Sequence, residues 1–250
     1  MSDDIYEALA RTALLLELDI FGKGADHRAI VDGLRATTAR IITDRANISS
    51  PAGQTALTTL YAQLAMMGFQ IDLDAPHVDL CADQPPLRRG ELMSGLVHYS
   101  DDLLPGGSSR PAPSPDVIFA LGDTPAPAGA VRVSGKGWRG HVSSDLTAER
   151  WRGGSPVGAL AAAGAAAVEG LRAAVPRIAE HLNQPAPEDT RYRAVPGRRA
   201  DLDLSRYAVE GRVALGEVDL ISGGAITNAA MYVLLRFPAL SADLRVIEPE

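Results

Sequence analysis

Strand-like apolar runs alternate with helical patterns along this chain, and that alternation restricts it to layered α/β architectures. Ala39-Arg-Ile-Ile-Thr-Asp44 reads as a strand, and Ser50 and Pro51 then stand in cap and first-turn positions. The helix they start carries Leu57, Leu60, Tyr61, Leu64 and Met67 on one side and ends at Gly68. Phe69-Gln-Ile-Asp-Leu-Asp74 alternates as a half-buried strand. A second cycle follows: a helix around Gly90 to Tyr99, a Gly/Ser/Pro loop from Pro105 to Pro115, and strands at Val117 to Leu121, near 130–134 and near 140–143. With an amphipathic helix at 5–18, whose stripe is Ile5, Leu9, Ala13 and Leu16, these elements predict a small α/β domain over residues 1–150.

Residues 151–203 are expected to hold a long helix and a linker. The helix spans 155–183, with Ser155 as its cap, Pro156 at the first position and a kink or restart at Pro176. A stretch rich in Pro, Gly and charge from Asn183 to about Asp203 marks the domain boundary.

Residues 204–250 then read as the start of a partial Rossmann-like nucleotide-binding unit. Leu220-Ile221 ends a strand and Gly223-Gly224 allows a sharp turn and close approach of a phosphate. A helix follows with Ile226, Ala229, Ala230, Val233, Leu234 and Phe237 at helical spacing. Its amino end, with Ala225, Thr227 and Asn228, directs free N–H groups at the turn. The second strand, Leu244 to Ile247, leads into Glu248 and Glu250, and Glu248 lies 24 residues beyond Gly224, the distance at which a carboxylate meets ribose hydroxyls. The candidate nucleotide site is therefore Gly223, Gly224, Ala225, Thr227, Asn228, Glu248 and Glu250. Gly135-Lys-Gly-Trp-Arg-Gly140 fits G-x-G-x-x-G more closely, but His141 to Ser144 alternates like a strand, so it reads as a hairpin turn without a helix dipole.

The ordered set of strand, small-residue turn Ser222 to Asn228, helix and acidic pair Glu248-Pro-Glu250 resembles the ubiquitin-activating-enzyme-like superfamily of ThiF, MoeB and HesA. Trp151 with the helix that follows it, and Ser205-Arg206-Tyr207, add to the likeness. The resemblance implies an ATP-dependent adenylyltransferase activating a carboxylate, with Mg2+, with Gly223, Gly224 and Ala225 along the phosphates and Glu248 on the ribose. It implies a ubiquitin-like or sulfur-carrier protein or a peptide as partner, and a homodimer is a possible assembly. The later lysine, arginine and aspartate of that family fall beyond Glu250, so catalysis by these 250 residues alone is not expected. The alternatives are a nicotinamide- or flavin-dependent oxidoreductase, because the same unit binds dinucleotides, and a non-catalytic binding or scaffold protein.

A net charge of −7 argues against a general nucleic-acid binder. The lone cysteine, Cys81, excludes an internal disulfide and a paired-cysteine zinc site and reads as structural. The acidic amino terminus shows no secretion signal, and the apolar stretch Val157 to Val168 is too short to span a bilayer, so a cytoplasmic protein without a membrane partner is expected. Five scattered histidines give no metal spacing. Asp101-Asp102 after His98-Tyr-Ser100 has the groups for acid–base work but reads as a solvated loop.

Overall fold

The computed structural model describes residues 3–87, 90–103, 114–144, 148–209, 211–221, 225–237 and 240–247. It is an α/β fold. The N-terminal helix α1 (Asp3–Leu16) runs into one π-helical turn (Glu17–Phe21), and α2 (His27–Ala36) follows. The expected stripe of Ile5, Leu9, Ala13 and Leu16 is buried. Then come β1 (Thr38–Ile42), α3 (Pro51–Met66), β2 (Gln70–Asp74), α4 (Leu92–Leu103), β3 (Val117–Leu121), β4 (Val131–Lys136) and β5 (Arg139–Ser143). The long helix α5 (Val157–His181) is followed by β6 (Arg199–Asp203), and β7 (Val213–Ile221), α6 (Ala225–Leu234) and β8 (Leu240–Ile247) close the chain.

The first six strands form one sheet in the order β2-β1-β3-β4-β5-β6. β2, β1, β3 and β4 are parallel, β5 pairs antiparallel with β4, and β6 pairs antiparallel with β5. α3 is apolar or small on nearly every side, and both faces are buried, including Gln54, Thr55, Thr58 and Thr59. The single stripe expected from Leu57 to Met67 therefore understates it: α3 lies between the sheet, α4 and α5 rather than on the surface. Ser50 caps it as expected, its Oγ accepting from Gly53 N–H at 3.2 Å, with Pro51 at the first turn.

Several expectations change in three dimensions. α5 packs on α2, α3 and the β4–β5 hairpin, and β6 pairs with β5, so the helix and linker of 151–203 join the layers built by residues 1–150. The cap of α5 is Pro156, and Ser155 Oγ is buried without a hydrogen bond, which corrects the cap role given to Ser155. Pro176 lies inside an uninterrupted helix. Residues 135–140 form the expected hairpin turn, with Lys136 opposite Arg139 and Gly137 at φ 59°, a backbone that glycine adopts without steric cost. Most of the Pro105 to Pro115 loop lies outside the described residues.

The C-terminal unit is the largest departure. β7 and β8 pair in parallel, as a βαβ unit should, but among the described residues they pair only with each other, as a separate two-stranded sheet. Of the predicted apolar stripe on α6, Ala229 and Ala230 are exposed, whereas Arg236, just past the helix end, is buried. α5 is long and apolar enough to cross a membrane, and 56% of its apolar window is buried inside the protein. That burial is what a core helix of a layered fold requires.

Candidate functional site

In open α/β sheets ligands bind beyond the carboxyl ends of the strands, where the strand order reverses. Here the chain goes from β1 outward to β2 and returns across β1 to β3, so that point lies between β1 and β3. The loops leaving these strands bring Asp44, Asn47, Asp123 and Thr124 together, and the segment carrying Arg150 and Trp151 crosses over them.

Asn47 fills the crevice. It is fully buried, and its Nδ2 donates to Asp44 Oδ1 at 3.1 Å, Asp123 Oδ1 at 2.9 Å and Thr124 Oγ1 at 3.1 Å. Its Oδ1 accepts from the Trp151 amide at 3.1 Å, while Trp151 Nε1 donates to the Val133 carbonyl at 3.0 Å. The amino end of α3 is closed by the same segment. Ala52 N–H donates to the Gly153 carbonyl at 3.2 Å, and a Cβ at Gly53 would lie 1.7 Å from the Asn47 carbonyl oxygen. The amides that a phosphate would need are thus occupied or covered by the chain itself.

Arg150 holds the Asp123 carboxylate in a two-pronged pair at 3.2 and 3.0 Å and, with the Asn47 amide, keeps its pKa below the ordinary value. A depressed carboxylate adds stability that is present above its unfolded pKa of about 3.9 and is lost as pH falls through the lower folded value. Asp123→Asn is therefore expected to flatten the acid limb of stability. Urea midpoints at pH 7 and pH 3 should fall less on acidification in the variant than in the parent, and an unchanged drop would count against the pairing.

Gly223, Gly224, Glu248 and Glu250 are outside the described residues. Ala225 starts α6, and Thr227 and Asn228 stand in its first turn, half-buried and exposed respectively. Among the described residues no group of three or more His, Cys, Asp or Glu could hold a metal ion. Cys81 is exposed, and desolvation pushes its thiol up, the reverse of an activated nucleophile.

An open cavity of about 380 Å³ lies along α4, on the segment that leaves the carboxyl end of β2 and runs over α3. Gln84 ties that segment to Thr55 and to the Pro51 carbonyl, and Gln54 ties it to Asp79 and Cys81. Ser94, His98 and Asp102 recur every four residues on α4 and so share one face, which opens into the cavity beside Leu87, Glu91 and Tyr99. Asp101 and Asp102 are helical rather than part of a solvated loop. Glu91 accepts from the amides of Met93 at 2.9 Å and Ser94 at 2.7 Å; burial pushes its pKa up, but these bonds and nearby His77 outweigh it and hold the carboxyl low. Burial and the neighbouring Tyr232 push Tyr99 up.

Tyr232 belongs to the C-terminal unit, which docks here. Its Oη lies 3.1 Å from Thr59 Oγ1 of α3, and Arg236 reaches across to the Pro85 carbonyl, next to the cavity residue Pro86. On its other flank Phe237 meets Trp138 with ring centroids 5.9 Å apart. Sequence reasoning missed this seam because its members, Thr59, Pro85, Tyr99, Tyr232 and Arg236, form no local motif.

The comparisons with known proteins bear on this geometry. No family model matches the chain, and no curated protein matches it. The fold is similar to the solved structure described as "Crystal Structure of SeMet PaaA", with a TM-score of 0.51 and 13% identity over 82% of this chain and 81% of that one. At that identity the likeness concerns the fold. It replaces the expected membership of the ThiF, MoeB and HesA superfamily, and the reading of the chain as the N-terminal portion of an ATP-dependent adenylyltransferase is corrected with it. The physical reason for the mistaken reading is visible: a strand, glycine turn, helix and strand are shared by any βαβ unit. The unit chosen stands apart from the main sheet.

Proposed function

We propose that the protein binds a small organic molecule in the cavity along α4. The observation that carries this reading is the convergence of Ser94, His98 and Asp102 with Glu91 and Tyr99 on one concave surface, while the crevice between β1 and β3 is filled by Asn47. The volume of about 380 Å³ lies within the span usual for ligand pockets. Ser94 Oγ donates to the Glu91 carbonyl at 3.1 Å and makes no bond to His98, so the row lacks the nucleophile–base contact of a hydrolytic triad. Recognition is the role that such an arrangement performs.

The single cysteine accords with a reducing cytoplasm as the setting for this binding. ATP, the cofactor expected from sequence, belongs among the ligands to titrate, with and without Mg2+. Ligand-observed NMR against a library of small metabolites, run on the parent protein and on Ser94→Trp, tests the reading. Binders of the parent should be lost when the indole occupies the cavity, with far-UV circular dichroism unchanged. Binding that survives Ser94→Trp, or a parent that binds nothing in the library, would sink the proposal.

A further inference from the structure

We infer that the protein forms a symmetric dimer through the outer edge of β8, which pairs antiparallel with β8 of a second copy about a two-fold axis at Leu244. The sheet of β7 and β8 is unfinished on its own. Parallel strands ordinarily sit in larger sheets covered on both faces, and a free edge presents a row of N–H and C=O groups that a further strand can take up. Among the described residues β7 and β8 pair with no third strand, and they leave Ile221 71% and Val246 55% exposed. Ile247, opposite Ile221, is exposed as well.

The charges on the two strands decide which edge pairs and with what. In the β7–β8 register Asp219 lies opposite Arg245, and hydrogen bonds of 2.8 and 2.7 Å from Nε and Nη2 join them. Two positions earlier Glu217 lies opposite Asp243, so two carboxylates stand side by side on one face. Like charges in that relation are unfavourable, and neither acid has a cation partner among the described residues.

Antiparallel pairing of β8 with its own copy about Leu244 sets residues equidistant from that point opposite each other. Asp243 of each copy then faces Arg245 of the other, so the uncompensated acid gains its counter-charge in both copies. Arg245 can serve both carboxylates, because its side chain is 72% exposed and its Nη1 is not engaged by Asp219. On the other face Leu244 meets Leu244 and the exposed Val246 meets Ala242 of the second copy. The same operation on β7 fails, since a two-fold axis at Val218 sets Glu217 against Asp219. β6, at one edge of the main sheet, has its charges already spent: Asp203 pairs with Arg139, and Asp201 with Arg199 and His141. Neither β7 nor β8 lines the α4 cavity, so dimerisation and ligand binding stand or fall separately.

Sedimentation equilibrium of the full chain over a range of concentrations tests the inference, with far-UV circular dichroism as the control for folding. The parent should dimerise. Asp243→Arg should weaken the dimer by about ten-fold, because it sets cation against cation across the axis, while the fold is kept, since Glu217 now faces a cation within its own sheet. Arg245→Asp should weaken it likewise, and mixing the two variants should restore a dimer made of one of each, in which every acid at these positions meets a cation. Leu244→Cys in a Cys81→Ser background supplies a test independent of charge: opposed residues of an antiparallel pair lie about 4.5–5.5 Å apart at Cα, within disulfide reach, so air oxidation should give a covalent dimer. A parent that stays monomeric, a dimer indifferent to Asp243→Arg, or a dimer that does not cross-link through position 244 overturns the inference.

Discussion

Asn47→Ala is expected to lower the unfolding free energy by about 3–4 kcal/mol, the cost of a broken buried network rather than of a single hydrogen bond. The side chain donates to Asp44, Asp123 and Thr124 and accepts from the Trp151 amide, so truncation strands groups on three separate segments. The Trp151 N–H, next to an indole that is 1% exposed, has nowhere to turn. For a chain of this size the loss corresponds to a fall in Tm of about 10 °C. Differential scanning calorimetry checks it, and a drop below about 1 kcal/mol would mean that water replaces the amide and that the crevice is less closed than described. Asn47→Asp is the informative companion, because it keeps the shape while placing a third carboxylate beside Asp44 and Asp123.

Gly53→Ala comes next in expected size. Inside a helix this change ordinarily gains about 1 kcal/mol. At position 53 the added methyl would sit 1.7 Å from the Asn47 carbonyl oxygen and 3.2 Å from Trp151 Cβ, and the oxygen belongs to backbone that the Asn47 network holds in place. A net loss of about 3 kcal/mol follows from overpacking. Gly164→Ala supplies the contrast in the same protein: a methyl added there on α5 would meet nothing within 4 Å, so a gain of about 0.5–1 kcal/mol is expected. Urea unfolding of the two variants side by side measures the difference, and a neutral Gly53→Ala would show that the loop at Asn47 can yield.

The layered α/β class was legible because it depends on local signals that physics enforces strongly. Ser50-Pro51 began α3, the alternation of Phe69 to Asp74 marked β2, and Lys136 to Arg139 made a turn that no helix follows. The membership of the sheet was less legible, since nothing local tells Arg199 to Asp203 that it will pair with β5 across the intervening helix α5. At the C-terminal unit the local reading of a βαβ unit agrees with the structure, but the family inferred from it does not. A glycine turn states what the backbone can do and leaves open which sheet the strand enters. The cavity and seam escaped notice for a related reason. Arg236 lies just past the last residue of α6, and its burial depends on the docking of that unit against Pro85, which no local pattern announces. Asp102 reads from sequence as part of a solvated loop, because the helix that aligns it with Ser94 and His98 runs to Leu103 instead of ending near Tyr99.

The Asn47 cluster also bears on the order in which the molecule assembles. Its bonds join residues separated by 76, 77 and 104 positions along the chain, whereas the Ser50 cap of α3 spans only 3. Contacts of such long reach need β1, β3 and the Trp151 segment already in register, and they add little while the ends of those loops are still free. The cluster thus acts as a late latch: in a chevron experiment Asn47→Ala should speed escape from the native state and leave the folding arm nearly where it was. A crevice that other α/β proteins leave open for a ligand here governs how long the fold, once made, persists.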